Sequence, residues 1–273
     1  MPLRPDERTK ADKTLHSLAQ YIALTGTNWL PNQPDDSHTN MVWNNERQRL
    51  EGRSFKREDQ QIQLVVDTST FSLLFVDEQQ HVVASFPIEG KTPAEATSWW
   101  QSLMHDWGIV EIKGLNYTLA EPPVPNNTPY AHPVGLKAWG EWRKLAQTVL
   151  TTLNESSGQA SEVRIWPHHF DTGVYYSFPG ETGAEQAAIW AGYAIADAVS
   201  YEPYFYLSGY DSRQHIDFAA TRSLTTGTWL NTPSWQGAIL PISLVTGAEQ
   251  INAFLSESYA WLADKTGRNT ARK

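Results

Sequence analysis

The densest group of residues capable of chemistry is the stretch Trp166-Pro167-His168-His169-Phe170-Asp171. It places two adjacent imidazoles and a carboxylate close together, and no other part of the chain is so crowded with titratable side chains. The local pattern is typical of a strand, in which successive side chains point to opposite faces. His169 and Asp171 would then share one face, while His168 would point to the other. We therefore expect at most one of the two imidazoles to act together with Asp171.

These residue types support two kinds of chemistry. Imidazole and carboxylate are ligands of zinc, iron, manganese and nickel, so His169 and Asp171 could hold a divalent metal. Without a metal, Asp171 could orient His169 as an acid or base acting on a bound molecule. Glu202 adds a second carboxylate, because Pro203 directs it into extended geometry at the predicted start of a strand. The candidate catalytic set is therefore His169, Asp171 and Glu202.

A structural interpretation of the same residues stays open. A His-Asp pair near the end of a strand can simply orient the imidazole, and the zinc pattern His-Glu-x-x-His is absent from the chain. Glu202 can equally be a surface residue at a turn. If the functional interpretation holds, further residues would line the cleft around the pair: His38, His168, Trp166 and Tyr204.

Composition narrows the class of protein. The chain has 273 residues, no cysteine and a formal net charge of -9, so it has neither disulfides nor a cysteine nucleophile. A net negative charge argues against nucleic acid as the main partner, because that affinity comes largely from clustered Lys and Arg. No stretch approaches the length of about 20 apolar residues that a membrane helix needs. The polar N-terminus lacks the apolar core of a secretory signal, so we predict a cytoplasmic protein.

Aromatic residues are unusually frequent, with 12 Trp, 11 Tyr and 9 Phe. Aromatic rings bury large areas, so we expect most of them to pack in the core. The others could line a pocket for a sugar or another flat apolar ligand.

Hydrophobic spacing and capping patterns predict the helices. An amphipathic helix is predicted from Thr14 to Gly26, after a polar leader over residues 1–13, and His16 falls one residue off its apolar stripe, towards solvent. A second follows Thr92, where Thr, Pro and Glu form a capping box, and a third ends at Gly158. Thr246 and the three residues after it predict another capping box before the last helix.

The order of the predicted elements indicates an α+β protein with two similar halves, each an antiparallel sheet flanked by helices. The first half covers residues 14–119, a Pro-rich connection covers 120–133 and the second half covers 134–266, together forming one compact unit. Matching features occur in the same order in both halves, and His38 and Asn40 correspond to His169 and Asp171. This order suggests an internal duplication in which His38 and His169 approach each other at the seam.

Two motifs in this order, Trp-Pro-His-His-Phe-Asp and then Glu-Pro-Tyr-Phe-Tyr from Glu202 to Tyr206, carry a resemblance. They resemble a group of uncharacterised bacterial proteins known only as a domain of unknown function. The resemblance runs from the first predicted helix to the last. It implies that His169, Asp171, Glu202 and Pro203 stand at the positions by which the group is recognised, and it implies no activity.

The sequence therefore predicts a small-molecule-binding protein or enzyme with a cleft centred on His169 and Asp171. The alternative is a non-catalytic structural or interaction protein in which these residues tie elements of the fold together. A divalent metal is the one cofactor that the residues suggest. Neither the reaction nor the oligomeric state follows from the sequence.

Overall fold

A computed structural model describes residues 5–119 and 122–267, with the side chains of residues 5 and 6 left out. Residues 120 and 121 of the predicted Pro-rich connection, and residues 1–4 of the predicted leader, lie outside the described residues. The helices are α1 (Pro5–Trp29), α2 (Pro93–Asp106), α3 (Leu136–Ser157) and α4 (Ala248–Lys265). Within the described ranges, none of them is long and apolar enough to cross a membrane.

The strands range in length from two to ten residues. In chain order they are β1 (Val42–Asn44), β2 (Arg49–Glu51), β3 (Phe55–Arg57), β4 (Gln60–Asp67), β5 (Ser72–Asp77), β6 (Val82–Pro87), β7 (Arg164–Ile165), β8 (Thr172–Pro179), β9 (Glu185–Ala194), β10 (Tyr204–Asp211), β11 (Thr228–Asn231) and β12 (Gln236–Pro241). Short 3-10 helices cover Phe218–Ala220 and Ile242–Leu244. The predicted α+β class is confirmed, with two similar halves that each contain an antiparallel sheet and helices.

Two compact units divide the chain. The first contains Met1–Lys144 and Arg164–Phe170, and the second contains Leu145–Val163 and Asp171–Lys273. The first unit therefore includes the Pro-rich segment and the start of α3, whereas the predicted halves break at residues 120–133. The predicted bounds of the halves, and the duplication that would explain their similarity, stay predictions. The motif stretch itself is shared, since residues up to Phe170 belong to the first unit and Asp171 begins a segment of the second.

In the first unit, α1 is longer than predicted. It starts at Pro5, and Ala11 and Asp12 are already buried alongside the apolar stripe of Leu15 and Leu18. Residues 5–13 are thus part of the helix and not a polar leader. The N-terminal part of the helix can pack inside the protein because its buried carboxylate has a partner. The indole Nε1 of Trp139 donates a hydrogen bond of 2.8 Å to Asp12.

The sheet of the first unit has the order β1-β2-β4-β5-β6, with β3 paired to β4. Its centre is the β4–β5 hairpin, which the β-rich runs over residues 61–67 and 70–76 and the short turn between them predict. Buried residues such as Leu64 and Phe75 stand opposite each other in it. The capping box of α2 is confirmed. The Thr92 side chain accepts the Glu95 amide at 3.2 Å, and the Glu95 carboxylate accepts the Thr92 amide at 2.9 Å.

In the second unit, the strands follow the order β11-β12-β10-β9-β8, each antiparallel to its neighbour. Helix α4 packs against one face, where Tyr259 of α4 lies 5.8 Å from Tyr176 of β8. We call this the helix face. Because side chains alternate along a strand, the neighbouring Tyr175, stacked on Trp190, lies on the opposite face, which we call the far face.

The second predicted capping box is wrong. Gly247 is the N-cap of α4 and has no side chain to offer, so Thr246 stands one residue too early. Gln250 replaces the box, since its Oε1 accepts both the amide and the hydroxyl of Thr246, at 2.7 and 2.9 Å.

Candidate functional site

The motif stretch is a turn and not a strand. Residues 167–169 form the turn, and Phe170 has a positive φ of 57° while its amide donates to the Trp166 carbonyl at 2.7 Å. Pro167 has no amide hydrogen for a strand ladder, and a bulky residue in the left-handed region breaks any extended run. The strand resumes only at Thr172. The expected alternation of His168, His169 and Asp171 is therefore wrong.

Helices α1 and α3 hold the backbone of this turn. The Pro167 carbonyl accepts hydrogen bonds from His16 Nε2 and Gln20 Nε2 of α1, both at 2.9 Å. The Phe170 carbonyl accepts a 2.8 Å bond from the Arg143 guanidinium of α3. The carbonyls of Pro167 and Phe170 thus accept hydrogen bonds from side chains of the first unit.

The Phe170 ring is fixed as firmly as its backbone. It stacks on His16, with ring centroids 5.1 Å apart and planes 6° apart, and on Trp139 at 6.0 Å. The Arg143 guanidinium lies 4.6 Å from the Phe170 ring centre and 4.8 Å from that of Trp139. Such packing compensates the left-handed backbone of Phe170, which costs about 1–2 kcal/mol for an L-residue.

Two buried titratable groups belong to this packing. Burial raises the pKa of Asp12 to about 6, against the attraction of the Arg143 guanidinium, which favours the charged carboxylate. Burial also lowers the pKa of His16 to about 4, and the positive charge of Arg143 acts in the same direction. At neutral pH, His16 is therefore an uncharged donor to the turn. Its predicted position towards solvent is wrong, because only 9% of the residue is exposed.

The predicted imidazole pair lies at the surface of the first unit. The rings of His168 and His169 are 4.5 Å apart, and His169 is exposed. His168 is half-buried between aromatic neighbours, with Tyr117 at 5.7 Å and Trp166 at 6.1 Å. Trp166 is itself covered by the Arg164 guanidinium at 5.1 Å. The pair and Trp166 thus form an aromatic surface patch.

His38 also lies in the first unit, after a short turn that follows α1. Its carbonyl presses against the helix at Gly26, where a Cβ would come within 2.0 Å of the oxygen, so a side chain at that position would displace the turn. The His38 Nδ1 accepts the Gln33 amide at 3.3 Å. Asn40, the polar residue two positions on, accepts a 2.6 Å bond from the Arg53 guanidinium. These contacts give His38 and Asn40 roles in holding the turn.

Asp171 belongs to the second unit, where it is buried and accepts the phenolic hydroxyl of Tyr206 on the far face. Gly192, which pairs with Tyr206 across the sheet, leaves room for the phenol, because a Cβ at residue 192 would lie 2.6 Å from the Tyr206 oxygen. Burial, with the Asp171 carboxylate beside it, raises the pKa of Tyr206 well above its usual value. Tyr204 makes a similar bond of 2.9 Å to Asp197. The carboxylate of Asp171 is thus committed to the sheet.

Glu202 is tied to the 3-10 helix at the end of β12. Its two carboxylate oxygens accept the amide and the hydroxyl of Ser243, at 2.8 and 2.6 Å. Glu202 thus anchors the loop that leads into β10.

These positions do not fit a metal centre. Among residues 5–119 and 122–267, no group of three or more His, Asp or Glu side chains is arranged to hold a metal ion. In the second unit, Asp171 already accepts a hydroxyl from Tyr206.

A cleft lies elsewhere in the second unit, on the helix face. It has a volume of about 550 Å³ and opens between β11, α4 and the chain that joins the first 3-10 helix to β11. Hydroxyl, charged and aromatic side chains all contribute. Its lining is Ala220, Arg222, Ser223, Leu224, Thr225, Trp229, Glu257, Ala260, Trp261, Asp264 and Lys265.

Two indoles form the aromatic part of the cleft. The rings of Trp229 on β11 and Trp261 on α4 lie 4.7 Å apart at an angle of 54°. The buried ring of Phe218 supports both, at 6.1 Å from Trp229 and 5.5 Å from Trp261. The indole Nε1 of Trp229 donates to the Arg222 carbonyl at 2.9 Å, which fixes the loop above it.

None of the cleft residues was among the predicted site residues. The sequence separates Trp229 from Trp261 by most of the last two strands and a helix, so no local motif joins them. The only signal was the high tryptophan content, which does not say which rings remain accessible. Comparison of the chain with protein-family models, with curated proteins and with solved structures finds no match.

Proposed function

We propose that this chain is a small-molecule-binding protein and that its ligand occupies the cleft between Trp229 and Trp261. The observation that carries the proposal is the cleft itself, which combines two half-buried indoles with charged and hydroxyl side chains. Ligand sites characteristically pair an apolar or aromatic surface with a few polar groups that set orientation. The mixture around Trp229 and Trp261 has this composition.

The contacts of the motif residues support a structural role for them within the same proposal. In the first unit, the carbonyls of Pro167 and Phe170 accept side-chain donors, and the Phe170 ring is stacked. In the second, the carboxylate of Asp171 is buried and accepts the Tyr206 hydroxyl. A cleft centred on His169 and Asp171 would need these groups to be available to a ligand. The cytoplasmic location and the resemblance to the bacterial group remain predictions from the sequence.

A thermal-shift screen tests this proposal. A diverse library of small polar compounds is screened on the full chain, on Trp261→Ala and on Trp190→Ala. Trp190 is the matched control, because it is a half-buried indole of the same unit that lies on the far face. A compound at 100 times its Kd stabilises the folded chain by about 2.7 kcal/mol, which is well within detection.

We expect compounds that raise the melting temperature of the wild type and of Trp190→Ala and that have no effect on Trp261→Ala. Compounds that stabilise all three proteins equally would contradict the location of the site. Loss of stabilisation in a His169→Ala variant would return the site to the motif stretch.

A further inference from the structure

We propose that the cleft between Trp229 and Trp261 takes a neutral carbohydrate. This inference rests on the proposed function and adds the chemical class of the ligand. It follows from the zero net charge of the rim, from the Lys265 ammonium that already lies over the Trp261 ring and from the fixed carboxylate of Glu257.

The rim is balanced in charge although the chain as a whole is acidic. Two cationic side chains, Arg222 and Lys265, stand with two carboxylates, Glu257 and Asp264. The formal sum at the rim is zero, whereas the chain has a formal charge of -9. Opposite charges that sum to zero give a charged ligand little net attraction. The rim therefore favours a neutral ligand.

The indole faces favour carbon-bound hydrogens over a cation. The Lys265 ammonium lies 5.6 Å from the centre of the Trp261 ring and already uses the attraction of that face for positive charge. A cationic ligand would have to displace this ammonium or bind beside it. The weakly positive C–H groups on one face of a pyranose ring can pack against an indole without a full charge, since the face of an aromatic ring is electron-rich.

Glu257 offers acceptors that hydroxyl groups require. Its Oε2 accepts the Thr225 amide at 2.8 Å and its Oε1 accepts the Thr225 hydroxyl at 2.6 Å. These bonds fix the carboxylate in one orientation, and each oxygen keeps further acceptor capacity, because an ionised carboxylate has about four acceptor sites. A fixed carboxylate beside two indoles suits a ligand that presents an apolar face and a hydroxyl-bearing edge.

The chain provides a close control for Glu257. Glu202, also half-buried and in the second unit, accepts the Ser243 amide at 2.8 Å and the Ser243 hydroxyl at 2.6 Å. The two carboxylates therefore have the same local bonding, and only Glu257 lines the cleft. Replacing each with Gln changes one charge in the same setting, so a difference between the variants reports the ligand and not the turn.

The experiment is a titration of the ¹⁵N-labelled full chain, in which the indole signals of Trp229 and Trp261 are followed. The probes are cellobiose and maltose, with tyramine and indole-3-acetate as cationic and anionic aromatic compounds. We expect at least one sugar to shift both indole signals and the charged aromatics to leave them unchanged. Glu257→Gln should weaken the binding of that sugar at least fivefold, and Glu202→Gln should change it less than twofold.

Shifts caused only by tyramine or indole-3-acetate would overturn the carbohydrate inference and leave the proposed binding function standing. Equal weakening by Glu257→Gln and Glu202→Gln would also overturn it, because the effect would then come from the fold. If no probe moves either indole, the carbohydrate inference fails, and the thermal-shift screen decides separately whether the cleft binds any small molecule.

Discussion

The motif stretch and the cleft contain the same kinds of residue and use them in opposite ways. In the stretch from Trp166 to Phe170, the carbonyls of the turn accept hydrogen bonds from His16, Gln20 and Arg143, and the ring of Phe170 is buried. In the cleft, two indoles remain half-buried behind an open rim of charged side chains. A dense cluster of titratable residues in a sequence can thus belong to a structural turn as readily as to a binding site.

The burial of Arg143 explains why the motif stretch is structural whereas the cleft is open. A guanidinium that is removed from water needs compensating partners, and Arg143 has the Phe170 carbonyl as an acceptor, the Trp139 ring beside it and the attraction of the Asp12 carboxylate. This requirement draws polar residues and aromatic rings together at the turn. At the cleft, Arg222, Asp264 and Lys265 are exposed and Glu257 is half-buried, so these charges keep contact with water and need fewer protein partners.

Arg143→Met should destabilise the first unit by about 3–5 kcal/mol, because it leaves the buried Asp12 without its cation and the Phe170 carbonyl without its donor. Urea unfolding monitored by circular dichroism measures the change. Arg222→Met at the exposed rim of the cleft is the control and should cost less than about 0.5 kcal/mol. Similar losses in both variants would contradict the contrast between the two regions.

Tyr206→Phe should destabilise the second unit by about 1–3 kcal/mol, since the buried carboxylate of Asp171 loses a hydroxyl donor. Tyr175→Phe is the matched control, because the exposed Tyr175 also donates to a carboxylate, that of Glu185, at 2.8 Å. The control should change stability by less than about 0.5 kcal/mol. Guanidinium unfolding of both variants makes the comparison, and equal effects would show that Asp171 is not bound into the fold.

His16 should make the first unit less stable in mild acid. Its folded pKa of about 4 lies below the usual histidine pKa of 6.5, so between these values the unfolded chain binds a proton that the folded chain does not. The stability that His16 contributes is complete above pH 6.5 and is lost as the pH falls towards 4. Between pH 7 and 5 the loss amounts to about 1–2 kcal/mol.

Asp12 acts in the opposite direction, because its folded pKa of about 6 lies above 3.8 and its protonation favours the folded chain as the pH falls below 6. His16→Gln separates the two effects, since Gln keeps a donor for the Pro167 carbonyl and does not titrate. Unfolding free energies of the variant and the wild type are compared from pH 7 to pH 5. The variant should gain stability relative to the wild type as the pH falls, and parallel profiles would contradict a buried, neutral His16.

His169→Ala should have the smallest effect. The ring is exposed and lies against its neighbour His168, so stability should change by less than about 0.5 kcal/mol. Elemental analysis of purified, tag-free wild type and variant should give the same metal content. Stoichiometric metal that disappears in the variant would make the stretch a coordination site.

Much of the fold was predictable where local signals decide the structure. The capping box at Thr92 and the β4–β5 hairpin are set by residues adjacent in sequence, and both are confirmed. The box at Thr246 failed because a glycine N-cap and a glutamine four residues after Thr246 satisfy the same donors in another way. Capping residues predict that a helix starts, but several side chains can meet the same requirement.

The surroundings of the motif turn and the cleft were less predictable, because the residues of each come from distant segments of the chain. The turn at Pro167 is held by His16 and Arg143, and no sequence pattern links these three positions. His16 lay off the apolar stripe of α1, yet a buried carbonyl gave it a partner inside the protein. Trp229 and Trp261 likewise meet only after a strand and a helix have packed together. Contacts of this kind follow from tertiary packing and not from periodicity.

The most direct test of the central claim is to map where a ligand binds by its effect on individual tryptophans. The indole signals of ¹⁵N-labelled protein are assigned with single Trp→Phe variants and followed as compounds from the thermal-shift screen are added. Trp166 reports the motif stretch, and Trp229 and Trp261 report the cleft. We expect the signals of Trp229 and Trp261 to shift together while that of Trp166 stays in place. A shift of Trp166 alone would place the ligand at the motif stretch and contradict the account.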